Sequence, residues 1–209
     1  MADARSVRMI DIEAATWHRV HAFDPATGKF GPTAFNDSGR GNARFSPLLD
    51  PATGAVIPTM YVAGHARGAI AEVLLHDIPE PSTGFNYDWE RDRTGNLCMS
   101  TIGLPGLKLA NLTSTGLRAA GMSDAGLFQF AASTYPTTRA LALAIWEQLP
   151  DVQGICWMSV RDNQSKALML FGDRIDASVF TIIGGPSRIR EYQEIVFGLL
   201  DELGCGLAP

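Results

Sequence analysis

The stretch Tyr61–His76, YVAGHARGAIAEVLLH, decides how the rest of the chain is interpreted. A strand-like run over Thr59–Ala63 breaks at a glycine, and a helix-like run follows from about Ala66. From Gly68 onward, Glu72 is the only charged side chain within an apolar helical run. A carboxylate in such surroundings lies close to the core, where carboxylates are uncommon unless they are paired or used in chemistry. Two interpretations follow: a Glu at the helix margin that reaches solvent or an Arg, or a carboxylate with a function.

The composition is that of an ordinary globular domain. The chain has 209 residues, of which 46% are apolar and 19% are charged, a balance that can build a sizeable core in one domain. The net charge of −5 argues against a nucleic-acid binder that works through a basic face. The three cysteines have no paired spacing, which indicates reduced thiols. Because we find neither a signal-peptide core nor a run of ~18 apolar residues, we expect a cytoplasmic protein without a membrane segment.

The remaining patterns predict a single α+β domain, since they form neither an all-β series nor a repeating βαβ series. The run WHRVH at 17–21 is typical of a strand, with Arg19 on the same face as Trp17 and His21. Such a strand lies either at a sheet edge with a solvated Arg or inside the sheet with a buried one. The other predicted elements are a polar lead-in or short helix at 1–16, a long connection at 78–96, strands at 107–112, 154–160, 167–171 and 179–183, a helix that starts near Pro136, and a C-terminal helix at about 187–204, with the domain core at about 17–172.

Two copies of the pentapeptide DPATG occur at 24–28 and 50–54. Asp, Pro and Gly in this order are typical of turns, so we predict two similar loops rather than a duplicated domain. Between them lies a glycine-rich polar segment that carries Arg40 and Arg44. It matches neither a dinucleotide-binding G-x-G-x-x-G nor a Walker loop. The two arginines are compatible with a phosphate site and equally with a solvated loop.

The sequence offers no recognisable metal site and no G-x-S-x-G elbow, because the four histidines form neither H-E-x-x-H nor a Cys/His cluster. What remains is a set of Arg, Tyr, Glu and Ser. Arginines hold phosphate oxygens in a bidentate manner, and a tyrosine stacks on a ring. A carboxylate hydrogen-bonds a sugar hydroxyl and stabilises an oxocarbenium-like transition state. Such a set suits a negatively charged ligand whose reaction develops positive charge.

In order along the chain, these residues resemble the RES-domain family, the toxins of bacterial toxin–antitoxin pairs. The resemblance runs from about residue 17 to 172, and Ser46 stands where the family usually has Asn. The matching pieces are WHRVH with Arg19, GNARFSP with Arg44, YVAGHARGAIAEVLLH with Tyr61 and Glu72, ASTYPTTRALALAI with Ser133, and GICWMSVRDN followed by ALMLF.

The resemblance implies an ADP-ribosyltransferase-like fold, a split and mostly antiparallel sheet flanked by helices around a cleft. It also implies cleavage of the nicotinamide–ribose bond of NAD⁺ without a metal. On this hypothesis Arg19 and Arg44 hold the pyrophosphate, and Tyr61 packs on the nicotinamide or the ribose. Glu72 holds the ribose hydroxyl and supports the cationic transition state, and Ser133 positions the substrate.

Three functions stay open on the sequence. The first is a mono-ADP-ribosyltransferase toxin that modifies a protein acceptor, which the long 46–58 and 78–130 regions favour as extra loops near a cleft. The second is an NAD⁺ glycohydrolase or phosphorylase, and the third is a non-catalytic nucleotide-binding or interaction module. The resemblance further implies a cognate Xre/ParS-like antitoxin that covers the cleft, and a homodimer. The aromatic group Phe85, Tyr87 and Trp89 is either a partner surface or packed under the long connection.

Overall fold

The structure is a computed structural model that describes residues 3–79, 82, 84–90, 95–123 and 134–208. Its centre is an eight-stranded sheet in the order β1-β8-β9-β10-β5-β2-β7-β11, antiparallel at each pairing except β8–β9. The strands are β1 (Met9–Ile12), β2 (Ala15–Ala22), β3 (Leu48–Leu49), β4 (Val56–Ile57), β5 (Thr59–Ala63), β6 (Asn86–Tyr87), β7 (Leu97–Leu104), β8 (Leu107–Asn111), β9 (Gly154–Met158), β10 (Lys166–Phe171), β11 (Thr181–Arg188) and β12 (Gly206–Leu207). The helices are α1 (Ala66–Leu74), α2 (Ser114–Ala119), α3 (Tyr135–Gln148) and α4 (Gln193–Glu202).

The sheet is almost divided between β2 and β5. Their register contains one residue pair, His18 opposite Ala63. Beyond this pair β2 continues along β7 and β5 continues along β10, so the facing edges of 19–22 and 59–62 do not pair with each other. This geometry confirms the predicted split, mostly antiparallel α+β sheet. It also leaves a gap between the two halves, and the backbone on each side of the gap is held firmly by its other neighbour.

Helices cover one face of the sheet in two groups. Helices α1 and α4 pack over the β2 side, where Val20 and Ala63 share a buried cluster with Ile70 of α1. Helix α3 packs over β9 and β10 through an apolar stripe in which Leu141 and Ile145 are buried. A third buried cluster lies on the other face and includes Trp17, Met60, Val62 and Phe180. Because side chains alternate along a strand, Arg19 belongs to this second face with Trp17.

Close packing fixes the position of α1. The helix begins after Gly64, and a Cβ built on Gly68 would lie 2.2 Å from Ser165 Oγ at the start of β10. Only a glycine therefore allows α1 to approach the sheet this closely. On the opposite side, Arg67 of α1 forms an ion pair with Glu202 of α4. These contacts hold the orientation of the helix that carries Glu72.

Both DPATG segments form the predicted turns. In each, the Asp carboxylate accepts the N–H two residues later and the Thr hydroxyl three residues later, at 2.6–3.0 Å. The closing glycines, Gly28 and Gly54, have φ of 67° and 73°. These hydrogen bonds to the ionised form lower the pKa of Asp24 and of Asp50.

Two expectations about the fold are wrong, and one open alternative is decided. Residues 9–12 form β1 rather than a polar lead-in or helix. Of the two alternatives for β2, the structure confirms the strand inside the sheet with a buried Arg19. Within the 78–130 region, expected to supply an extra loop near the cleft, residues 97–104 form strand β7 of the main sheet. The C-terminal helix, expected at about 187–204, begins at Ile189 with a 3₁₀ turn, because Ser187 and Arg188 still pair with β7, and it ends at Glu202.

The aromatic group at 85–89 packs inward. Tyr87 and Trp89 are buried, Phe85 is partly buried against the same cluster, and the Trp89 ring meets Phe197 of α4 edge-on at 5.6 Å. The packing interpretation is therefore confirmed, and the partner-surface interpretation is wrong. Within the described ranges, we find no helix with the length and apolarity needed to cross a membrane.

Candidate active site

A cleft of about 410 Å³ occupies the gap between the two halves of the sheet. This volume lies within the usual range for small-molecule sites. Its walls come from β2, β5, α1, the 30–46 loop and the first residue of α3. Four of the five predicted site residues line it: Arg19, Arg44, Tyr61 and Glu72. The fifth, Ser133, lies outside the described residues.

The split sheet explains how these residues share one cleft. Arg19 lies on the sheet face opposite to α1, whereas Tyr61 and Glu72 belong to the α1 side. In a continuous sheet, strand pairing would separate the two sets. Here the unpaired edges of β2 and β5 let side chains from both faces line the same space.

Arg19 is a buried cation that is already engaged with the protein. Its Nη1 donates to Pro32 O at 2.7 Å and reaches Gly31 O at 3.4 Å. Loss of hydration lowers the pKa of Arg19 to about 10, so it stays charged at neutral pH. Arg19 therefore fixes the 31–32 backbone and adds positive charge to the cleft, with its other nitrogens left for a ligand.

His21 lines the cleft next to Arg19 and was not among the predicted site residues. Its Nδ1 lies 2.8 Å from both Ala22 O and Phe30 O, and its Nε2 lies 2.8 Å from Ser100 Oγ. Because carbonyls only accept, the proton belongs on Nδ1, and the Ser100 hydroxyl donates to Nε2. Burial and the charge of Arg19 lower the pKa of His21, which agrees with a neutral ring.

The loop at 42–46 is held residue by residue. Arg139 of α3 donates to Asn42 Oδ1 and to Ala43 O, and the buried Thr138 hydroxyl donates to Arg44 O. These contacts join positions 94–97 residues apart in the chain. As a result the Arg44 guanidinium lies over the ring of Tyr135, 5.5 Å from its centroid.

The hydroxyl of Tyr61 adds two further hydrogen bonds to the 42–46 loop. The oxygen accepts from Phe45 N–H at 3.2 Å, and the O–H donates to Ser46 Oγ at 3.1 Å. Burial raises the pKa of Tyr61, and the negative charge of Glu72 raises it further. The phenol is therefore neutral, and its polar end is committed to the loop. What Tyr61 offers a ligand is the part of its ring that lines the cleft.

Glu72 is half-buried and faces the cleft, so the chemical interpretation of this residue gains support over the solvated one. Its Oε1 accepts from Val160 N–H at 3.0 Å, which leaves Oε2 for a ligand. The turn that provides this N–H is itself anchored, because Asp162 forms an ion pair with Arg67 Nε at 3.5 Å. Arg161 of the same turn donates to Ile78 O. The carboxylate is therefore oriented before any ligand binds.

Tyr135 and Arg40 also line the cleft, as does His76. Burial raises the pKa of Tyr135, which keeps its phenol neutral. Arg40 is exposed, and its carbonyl is held by Asn36 Nδ2 at 3.0 Å. Arg19, Arg40 and Arg44 outnumber Glu72, so an anion is favoured in the cleft although the whole chain carries −5. Among the described residues, no group of His, Cys, Asp and Glu could hold a metal ion.

Fold and cleft together define an α+β protein with a cationic cleft at a split in its sheet. The family model for the RES domain matches residues 16–189, and the chain therefore belongs to the RES-domain family. Among solved structures, it is similar to the M. tuberculosis MbcT–MbcA toxin–antitoxin complex, with a TM-score of 0.57 and 19% identity over 88% of this chain and 91% of that one. That similarity concerns the fold. A search of curated proteins finds no match.

Three cleft residues were missed for identifiable reasons. His21 carried a signal, since it alternates with Arg19 on the predicted strand. Tyr135 was assigned only to a helix start, and its position against Arg44 depends on contacts between distant segments. Arg40 was considered for phosphate binding without a decision between a site and a solvated loop.

Proposed function

We propose that the chain is the toxin of a toxin–antitoxin pair and that it cleaves the nicotinamide–ribose bond of NAD⁺. The observation that carries this proposal is the Glu72 carboxylate, oriented by Val160 N–H in a cleft lined by three arginines. Membership of the RES-domain family and a fold shared with a toxin–antitoxin complex support it.

The chemistry matches the charges in the cleft. As the bond to nicotinamide breaks, nicotinamide leaves with the bonding electrons and the ribose develops oxocarbenium character. The free Oε2 of Glu72 would accept a hydrogen bond from a ribose hydroxyl and stabilise the developing positive charge. Arg44 and the remaining nitrogens of Arg19 would contact the diphosphate, with Arg40 at the exposed side. The Tyr61 ring would pack against the nicotinamide or the ribose, and Ser133 is kept as a candidate for substrate positioning.

Substitution of Glu72 tests the proposal directly. Purified protein incubated with NAD⁺ should release nicotinamide, and Glu72→Gln should lower kcat by about 100-fold or more with little change in KM, because one electrostatic stabiliser is typically worth this much. Gln keeps an acceptor for Val160 N–H, so folding should be preserved. Glu147→Gln, on the exposed side of α3, is the matched control. Equal nicotinamide release by wild type and Glu72→Gln would sink the mechanism.

The acceptor of the ADP-ribose is a separate question. The length of 78–130 favoured transfer to a protein, but this region includes strands β7 and β8 of the main sheet and is not a single extra loop. Transfer to a protein and release to water or phosphate therefore stand as alternative proposals for the second half of the reaction. With NAD⁺ labelled in the ADP-ribose part and added to lysate, a discrete labelled protein band supports transfer. Label found only in free ADP-ribose or its phosphate supports hydrolysis or phosphorolysis.

We also propose that a cognate antitoxin covers the cleft, as the resemblance to the RES-domain family implies. Expression of the chain in bacteria should slow growth and lower the NAD⁺ pool, and Glu72→Gln should abolish both effects. Co-expression of the antitoxin should restore growth, and the purified complex should release no nicotinamide. An antitoxin-bound complex that cleaves NAD⁺ at the free rate would contradict a cleft-covering mode.

A further inference from the structure

Phe30 has an unusual combination of features for an apolar residue. It lines the cleft, yet 56% of its surface is exposed. Its φ is 58°, and among the described residues it is the only non-glycine with a positive φ. A bulky side chain in this region is strained, and such strain persists only where surrounding contacts enforce it. The backbone is therefore held in a costly conformation that keeps an aromatic ring out of the core.

The contacts that enforce this conformation come from β2. Neutral His21 donates from Nδ1 to Phe30 O at 2.8 Å, and Arg19 donates to the next two carbonyls, Gly31 O and Pro32 O. His21 is fixed in turn by the buried Ser100 hydroxyl. Three successive carbonyls are thus bound by two side chains on one face of one strand. This arrangement fixes the backbone and leaves the Phe30 ring at the cleft.

We propose that Phe30 is the platform on which the adenine base of the dinucleotide stacks. This inference rests on the proposed function, which assigns the nicotinamide end to Glu72 and the diphosphate to the arginines. A dinucleotide has a second ring system that needs an apolar surface within the same cleft. Phe30 provides an exposed aromatic face, and Arg40 on the same loop lies along the cleft for the adjoining phosphate.

Two substrates with the same scissile bond separate the adenine end from the chemistry. NAD⁺ contains adenosine, and nicotinamide mononucleotide lacks it. Phe30→Ala should lower kcat/KM for NAD⁺ about 10- to 100-fold through KM, the range of base–aromatic stacking, and should leave kcat/KM for the mononucleotide unchanged. Phe30→Tyr should retain the wild-type preference. Leu49 is an exposed apolar residue outside the cleft, so Leu49→Ala should leave kcat/KM unchanged for both substrates.

A binding measurement separates this platform from the proposed reaction. AMP titrated calorimetrically into the full chain should bind wild type and Glu72→Gln alike, and Phe30→Ala should bind it about 10-fold more weakly. Phe30→Gly, which removes both ring and backbone strain, should reproduce the weak binding and so exclude misfolding as its cause. AMP binding that depends on Phe30 without nicotinamide release supports the platform and overturns the proposed reaction. If the protein cleaves NAD⁺ but Phe30→Ala lowers kcat/KM equally for both substrates, or for neither, the platform is overturned. A wild-type protein that does not bind AMP overturns it as well.

Discussion

At the scale of single residues, the hydroxyl of Tyr61 and its ring have separate roles. The hydroxyl bridges Phe45 N–H and Ser46 Oγ, and the ring lines the cleft. A sequence indicates a tyrosine near a site but gives no sign of which part of it the protein itself uses. The sequence likewise left the partners of Arg19 unspecified. A buried, charged Arg19 was one of the two predicted alternatives, but the carbonyls that it binds lie in a loop without a regular sequence pattern.

Tyr61→Phe isolates the role of the hydroxyl. This change removes the acceptor of a buried N–H at Phe45 and keeps the ring. An unsatisfied buried donor costs about 1–3 kcal/mol, so we expect the free energy of unfolding to fall by about this amount. Urea denaturation measures the free energy of unfolding. Tyr61→Ala is the comparison, because it also removes the ring and should lower the free energy of unfolding further. A Tyr61→Phe midpoint equal to that of wild type would show that the hydroxyl does not hold the loop.

At the scale of elements, the sequence identifies the segments whose pattern is local. The bounds of β5 and the start of α1 were predicted as observed, because apolar periodicity and Gly64 mark both elements. The C-terminal helix was predicted at about 187–204, and Gly204, whose φ is 70°, follows the observed end of α4. Strand β7 was missed because Ser100, Thr101 and Gly103 interrupt its apolar run, so its sequence lacks the apolar–polar alternation of a half-buried strand.

A pair of glycine substitutions tests the close approach of α1 to the sheet. Gly68→Ala gains helix propensity but forces a Cβ onto Ser165, so we expect a net loss of about 1–3 kcal/mol in unfolding free energy. Gly198→Ala in α4 is the matched control, because its Cβ would have nothing within 4 Å and should stabilise by about 0.5–1 kcal/mol. Denaturant midpoints measure both. Stabilisation by Gly68→Ala would mean that α1 can move away from Ser165 at no cost.

At the scale of the whole molecule, the site depends on a gap that no local pattern encodes. The family resemblance gave five candidate site residues, and four of them line one cleft. It left open whether β2 lies at an edge or inside the sheet, and it did not predict that β2 pairs with β5 through one residue pair only. Strand order arises from pairings between distant segments, and side-chain pattern does not specify those partners. The polar residues within β2 are accommodated because the gap beside them is where the ligand would enter.

The same burial of polar side chains along β2 makes stability depend on pH. Burial lowers the pKa of both His18 and His21, with further contributions from His65 and Arg19 respectively. A histidine with a lowered folded-state pKa binds fewer protons when folded than when unfolded. Stability therefore falls as pH drops below the unfolded value of 6.5, until the folded-state pKa is passed, by at most about 1.4 kcal/mol per pH unit for each histidine.

Urea unfolding at constant ionic strength between pH 7.5 and 5.5 measures this dependence, since carboxylates with ordinary pKa values stay largely ionised there. His21→Gln can still donate to Phe30 O but cannot titrate, so it should flatten the slope of stability against pH below pH 6.5. Because Gln does not reproduce the full set of ring contacts, stability at pH 7.5 should also be lower than in wild type. The double variant His18→Gln/His21→Gln should flatten the slope further. If both variants kept the wild-type slope, the pH dependence of stability would originate in groups other than His18 and His21.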